Sequence, residues 1–398
     1  MFRTFPQSSP HEKGLKTMHY KPVDYAETDE HRMIQETIRR FVADKLAPIA
    51  AEIDQEERFP VEVIKELGQL GMLGLMASEE HGGGGHDVIG AAIVAEEISK
   101  ACAGTYTSTT GHVFCEHWIE KYGTPEQKAK YIPKLATVDW IGGMAITEPE
   151  AGSDVASLKT TAVRDGDEFV VNGNKIFITN ASVADVIVCL VRTGGPGPKG
   201  ISTLIIETST PGYSASKPFE KLGNRSSPTC ELALENCRVP VANLLGKENR
   251  GFIESMVFFP FERALVGVCC GALCEAALEE AVRYCKERQQ FGKPIIEFQM
   301  VQQMLAEMVV DLQATKMLTR DVLRKYAAGE DANLEASIAK IYGADAAMRV
   351  TMNAVQLLGG YGYTREFPVE RWFRDAKLFA IGGGTSQIQK LILARGLM

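Results

Sequence analysis

The chain has 398 residues, of which 45% are hydrophobic and 24% charged, with a formal net charge of -8 and a pI near 5.6. That length supports a sizeable core and two or three domains. Its acidity disfavours a nucleic acid or an anionic membrane surface as partner, and no uninterrupted apolar run reaches the roughly 18 to 20 residues that span a bilayer.

The first 27 residues open with MFRTFPQSSPHEKGLKTMHY, which holds Pro6 and Pro10, three basic residues and no hydrophobic period. The segment reads as a disordered extension; an organellar transit peptide would be amphipathic as well as basic, and Met18 is an alternative start. Residues 28–140 read as a helical domain. HRMIQETIRRFVADKLAPIAAEIDQ, VEVIKELGQLGMLGLM, VIGAAIVAEEISKACA and TPEQKAKYIPKLAT each carry apolar residues at three-to-four spacing. The run from His81 through four glycines to His86 is a connection and not a phosphate loop, because no strand precedes it and no lysine occupies the Walker position.

Between residues 141 and 250 the period becomes strand-like. EFVVNGNKIFITNA, ADVIVCLVRT, GISTLIIET and TCELALENCRVP are short β-rich runs punctuated by Gly, Asn and Pro. With no helices between them, they predict an antiparallel barrel or sandwich. Residues 251–398 return to long helices that are apolar on more than one stripe, as in a four-helix bundle with subunit contacts. The predicted architecture is α+β and multidomain: a helical domain, a central β domain and a C-terminal helical bundle.

The nine cysteines lack metal-type spacing and an even count, so they read as small buried hydrophobes in a reducing compartment. A bacterial cytoplasm fits, with a mitochondrial matrix as the alternative. All seven histidines lie at or before His117, so neither a His-based triad nor a metal site can draw one from the rest of the chain. No metal is expected.

Four motifs remain. Ala145–Asp154 is AITEPEAGSD, and Ile176–Ala181 is IFITNA. Arg288–Pro294 is RQQFGKP, followed by Gln299. The stretch Gln356–Gln389 is QLLGGYGYTREFPVERWFRDAKLFAIGGGTSQIQ. Taken singly, each has a bland reading: a capping turn, an alternating strand with an inward Phe, an Arg favourably placed at a helix C-terminus. In this order and over residues 28–398, they resemble the acyl-CoA dehydrogenases, flavin enzymes that desaturate acyl thioesters.

The resemblance implies FAD as cofactor and an acyl-CoA as substrate. Groups at Ile146 and Thr147 would meet the isoalloxazine edge, where donors stabilise the reduced ring. Phe177 would cover that ring, at a position where many members carry Trp, and Thr179 would bond near its N5. Arg288 and Phe291, with Gln299, would reach the FAD of a neighbouring subunit, a guanidinium fork suiting pyrophosphate. Gln356, Gly360, Thr385 and Gln387 would complete the dinucleotide site. Ser153, Arg263, Gly383 and Arg395 would lie along the substrate. Arg365, Arg371 and Arg374 read instead as structural partners of nearby acidic residues. The shared cofactor implies a homotetramer or dimer, and the family implies an electron-transferring flavoprotein as redox partner.

In the common family pattern a glutamate, the base that removes the α-proton, stands two residues before the Thr of the closing Gly-Thr-Ser-Gln motif. Here that place is Gly383. In the branch that includes the isovaleryl-CoA and long-chain enzymes, the base comes from an earlier helix and immediately precedes an Arg. This chain reads Phe261-Glu262-Arg263 there. A vacant Gly383 with Glu262 present makes Glu262 the expected base, against the alternative of a surface carboxylate in an ion pair. Pro260 removes one helical hydrogen bond beside it and predicts a kink. The expected substrate is a branched or cyclic, short or medium acyl group, with the Tyr106–His117 helix forming part of its pocket. An acyl-CoA oxidase or a flavin monooxygenase of the same fold is the alternative enzyme, and a non-catalytic acyl-CoA-binding relative the alternative from another class.

Overall fold

The computed structural model describes residues 20–398. The N-terminal part contains α1 (Asp29–Phe41), α2 (Ala50–Gln55), α3 (Val61–Gln69), α4 (Val88–Ala101), α5 (Ala103–Tyr122) and α6 (Pro125–Ala136). Their ends follow local chemistry. Thr28 caps α1 by accepting from His31 N, with Asp29 and Glu30 in the first turn and Arg39 and Arg40 in the last, complementing the helix dipole. A reciprocal Thr124–Gln127 capping box, with Pro125 in the first turn, starts α6. Helix α4 is buried along its whole length and α5 along most of it, so these two form the centre of the N-terminal part.

The middle part is one eight-stranded sheet formed by β1 (Gly142–Ala145), β2 (Thr161–Asp165), β3 (Glu168–Thr179), β4 (Val186–Arg192), β5 (Ile201–Glu207), β6 (Tyr213–Ala215), β7 (Thr229–Pro240) and β8 (Leu244–Leu245). Its order is β6-β7-β3-β2-β4-β5-β8, with β1 alongside β4. The expected all-antiparallel pairing is corrected at β4, which pairs in parallel with both β1 and β2. Strand β4 is buried on both faces: Ile187, Cys189 and Val191 enter the sheet's own core, while Val186, Val188 and Leu190 join the helical core. Period-two alternation thus joins the β part to the helices.

The C-terminal part contains α7 (Gly251–Glu287), a hairpin of β9 (Gln289–Gln290) and β10 (Lys293–Pro294), then α8 (Gln299–Ala327), α9 (Asn333–Leu358), α10 (Val369–Ala376) and α11 (Ser386–Gly396). Helices α7, α8 and α9 pack on one another, and α10 and α11 pack on α9. Helix α7 continues through Pro260 as one helix. It contains a window long and apolar enough to cross a membrane, which reading for uninterrupted apolar runs passed over; that window is mostly buried inside the fold, as a core helix requires.

Residues 1–19 of the expected extension lie outside the described residues, and residues 20–27 correct that expectation. Tyr25 is fully buried, its ring 5.3 Å from the Lys316 ammonium. Tyr20 donates to Gln313, and Glu27 pairs with Arg324 at 2.5 Å. The segment is fixed by distant partners: Lys316 belongs to a buried cluster with Glu96 and Glu275, both at 2.8 Å, and the aromatic face of Tyr25 covers it. All nine cysteines are buried free thiols, as their reading as small hydrophobes anticipated.

Candidate active site

Helix α7 is fixed near its N-terminal end by an aromatic cluster. Phe258 stacks on Trp118 at 5.1 Å and Phe261 on Tyr326 at 5.2 Å, both phenylalanines being fully buried. With Phe261 locked inward, the next residue, Glu262, is turned by about 100° to the C-terminal glycine turn. A Cβ built on Gly383 would stand 3.3 Å from Glu262 Oε1 and 3.8 Å from Val266 Cγ2. Gly383 has φ +64° and Gly384 φ +83°, left-handed backbone that favours glycine. Burial pushes the Glu262 carboxyl up to about 7, against the pull of Arg263 and Lys340. A carboxylate so raised is a stronger base than a solvated one.

The glycine turn is held by side chains from the bundle. Gln389 Nε2 donates to Gly383 O at 3.1 Å and to Gly384 O at 3.2 Å, and Ser337 Oγ donates to Gln389 Oε1 at 2.9 Å. Lys340, fully buried on α9, donates to Gly384 O at 2.7 Å. Arg263, expected along the substrate, also belongs to this set. It is buried and donates from Nη1 to Asn333 Oδ1 at 2.7 Å and Ser337 Oγ at 3.4 Å, both on α9. Its Nε has no partner among the described residues. Arg374 pairs with Glu370, as expected, and also with Asp54.

A small, partly open apolar cavity of about 20 Å³ adjoins this region. Its lining includes Leu75, Val94, Ile98, Thr109 and Thr110 and, from the turn of α7 after Glu262, Leu265. Thr109 and Thr110 of α5 belong to the Tyr106–His117 stretch expected to form part of the acyl pocket. The next residue, Gly111, leads to the other wall: a Cβ there would meet Thr179 Cγ2 at 3.1 Å. Asn180, fully enclosed, fixes the junction by donating from Nδ2 to Ser108 O at 2.9 Å and Gly142 O at 3.1 Å. The end of β3 and the Glu262 turn of α7 thus approach the same cavity-lining elements.

At that end of β3 the pairing with β7 shifts register between Lys175 and Ile178. The irregularity turns Phe177 outward at φ +59°, 62% exposed, with the Phe219 ring 5.6 Å away. Lys175 is fully buried, bonded to Glu148 Oε1 at 2.8 Å and Ile146 O at 3.1 Å. Burial opposes ionisation of Glu148, yet Lys175 and the amides of Lys159 and Thr160 hold its carboxyl below the usual range. Ile176 N donates to Thr147 O at 2.9 Å. Ile146 and Thr147 are thereby clamped beside Phe177 and Thr179, while Ser153 is exposed at the end of the same segment. An open aromatic face beside backbone released from its ladder fits a flat heteroaromatic ring.

The remaining predicted positions lie at the surface. Gln356, Gly360, Gln387 and Arg395 are exposed, and Thr385 caps α11 by accepting from Ile388 N at 3.3 Å. Nothing stands within 4 Å of a Cβ built on Gly359 or Gly360, leaving room for close approach to that backbone. Arg288 and Gln299 flank the β9–β10 hairpin, whose tip is Phe291 and Gly292 at φ +51° and +81°. Phe291 is 94% exposed.

Three family models match in succession: the acyl-CoA dehydrogenase N-terminal domain over residues 28–139, the middle domain over 143–237 and the C-terminal domain over 249–398. This chain belongs to the acyl-CoA dehydrogenase family. It is 43% identical to a short-chain-specific acyl-CoA dehydrogenase of Clostridium acetobutylicum, over 94% of this chain and 99% of that protein. It is 38% identical to the mitochondrial isovaleryl-CoA dehydrogenase of Pongo abelii, over 92% and 88%. The structure of butyryl-CoA dehydrogenase from Megasphaera elsdenii superposes with a TM-score of 0.92 at 36% identity, covering 94% of this chain and all of that one.

Acyl-CoA dehydrogenases are FAD-dependent oxidoreductases. The open Phe177 face and the uncrowded Gly359–Gly360 backbone fit that cofactor. Sequence reading missed Lys175, Asn180 and Lys340, which hold the segments that carry the expected site residues.

Proposed function

We propose that this acyl-CoA dehydrogenase removes the α-proton of an acyl-CoA with Glu262 and yields the trans-2-enoyl-CoA. The observation that carries the reading is the Glu262 carboxylate standing beside side-chain-free Gly383, on the helix whose Leu265 lines the apolar cavity. FAD, when bound, supplies acceptance of the β-hydride. Ile146, Thr147, Phe177 and Thr179 would hold its ring. Gln356, Gly360, Thr385 and Gln387 would hold the dinucleotide, with Arg288, Phe291 and Gln299 from a neighbouring subunit of a homotetramer. Ser153, Arg263 and Arg395 remain proposed substrate contacts, and Arg263 also ties α7 to α9.

Within the protein, Glu262 receives the proton at a partly buried position, and its raised affinity for protons favours that transfer. The cavity residues given above are hydrocarbon apart from two threonine hydroxyls, so they favour an acyl group without polar substituents. Gly383 leaves room beside the α and β carbons, which supports a branched or cyclic short or medium chain. Electrons would pass to an electron-transferring flavoprotein, in a bacterial cytoplasm.

Steady-state turnover of butyryl-, isobutyryl-, isovaleryl- and cyclohexanecarbonyl-CoA with an artificial electron acceptor tests the substrate class. A branched or cyclic substrate should give the highest kcat/KM; preference for straight butyryl-CoA overturns that part. Peroxide release matching substrate consumption in air would replace the dehydrogenase reading with an oxidase.

A further inference from the structure

We infer that Lys340 is a positioning residue for the base: its buried ammonium holds the glycine turn at Gly384 and adds to the positive field of Arg263 that keeps Glu262 ionised at working pH. This inference rests on the proposed role of Glu262. The geometry has two parts. Lys340 Nζ donates to Gly384 O at 2.7 Å, and the residue before, Gly383, is the one whose Cβ position lies 3.3 Å from Glu262 Oε1. Lys340 is also fully buried, and among the described residues no carboxylate reaches ion-pair distance of it. A buried ammonium with only carbonyl acceptors is costly unless a negative group faces it.

The groups that face Glu262 can be named element by element. Helix α7 supplies Arg263, α9 supplies Lys340, α5 supplies the buried phenol of Tyr106, and the C-terminal turn supplies only glycines. Around Lys340 lie Cys270, Glu262, Arg263 and Asp345. Burial pushes Lys340 down to about 8, so it is charged at neutral pH and releases its proton in mildly alkaline solution. Arg263 supplies the larger part of the positive field at Glu262, and Lys340 adds to it from where the turn meets the base. Lys340 thus joins Arg263 in offsetting the burial that would otherwise protonate Glu262 and disable it.

The test is the pH dependence of kcat in FAD-loaded Lys340→Gln, which retains a donor for Gly384 O but has no charge, with Lys340→Met and Lys340→Arg beside it. In both neutral variants the acid limb of kcat should move to higher pH by about half a unit or more. KM should change less than kcat, and Lys340→Arg should keep the wild-type limb. A wild-type acid limb in Lys340→Gln overturns the inference, whatever happens to stability or flavin content. Glu262→Gln separates this result from the base assignment: if it turns over at near the wild-type rate, the base reading fails. If it is inactive while Lys340→Gln keeps the wild-type limb, only the role of Lys340 fails.

Discussion

Glu262 and Gly383 share one space: the Oε1 of the first lies 3.3 Å from where the second would carry a Cβ. Residues 121 positions apart in the chain are therefore alternatives, since a side chain at position 383 would crowd the carboxylate at 262. Gly383→Ala tests that relationship. The methyl group would press on Oε1, and alanine at φ +64° costs about 1 to 2 kcal/mol. The expected result is a stability loss of that size and a kcat lowered about tenfold, with KM changed less because the methyl meets the base and not the acyl cavity. Thermal denaturation and steady-state kinetics on one preparation check both.

Removing the base separates binding from chemistry. Glu262→Gln should keep yellow FAD and acyl-CoA binding, while turnover falls by about a thousandfold or more. In the wild type, kcat should fall as pH drops through about 7, where Glu262 becomes protonated. A flat profile between pH 5.5 and 8 would contradict the assignment.

The same carboxyl affects stability in the opposite sense. Its proton affinity in the folded protein is raised, so the fold binds the extra proton between about 4.5 and about 7. The associated stability is fully present below the lower value and is lost as pH rises through the upper one. Because the cleft admits some solvent, the cost at pH 8 is roughly 2 kcal/mol. Glu262→Gln should therefore melt higher than wild type at pH 8, with the difference closing by pH 5. An equal difference at both values would show that packing, not ionisation, is responsible.

The Glu262–Gly383 pairing was legible because each half sits in a short local motif. The parallel partners of β4 were not, since β1 pairs across more than forty residues and short strands carry no mark of direction. Tyr25 reads as part of a polar extension because its partner Lys316 lies on α8, far along the chain. Lys175 and Lys340 were passed over because lysines usually face solvent. Phase held the missing signal. Lys175 follows Phe169 and Val171 on the inward parity of β3, and Lys340 lies on the α9 stripe of Ala336, Gly343 and Ala347. The bonds of Arg263 to Asn333 and Ser337 are unmarked in the sequence for a related reason: its α9 partners lie 70 or more residues away.

Lys175 carries a prediction of its own. Lys175→Met would leave Glu148 buried without its ammonium, and breaking such a pair costs about 3 to 5 kcal/mol. The loss should extend beyond stability, because the same lysine holds Ile146 O beside Phe177. Purified Lys175→Met is expected to release FAD more readily on dilution, while the double variant Lys175→Met with Glu148→Gln recovers part of the melting temperature. No recovery would show that the charge pair is not what the strand depends on.

Phe291 allows the subunit arrangement to be tested without disturbing the core. It is a 94% exposed aromatic at φ +51°, in a hairpin whose two tip residues both need left-handed backbone. A large apolar side chain held out in an uncommon conformation contributes little to its own subunit, apart from an edge contact with Phe298 at 6.0 Å. If the hairpin reaches a neighbouring subunit's cofactor, Phe291→Ser should leave the far-ultraviolet spectrum unchanged and lower FAD occupancy. That loss should deepen as the protein is diluted and its oligomer dissociates. Sedimentation velocity with flavin absorbance reads both quantities at once. FAD retained in full by a dissociated Phe291→Ser subunit would place the cofactor within a single chain.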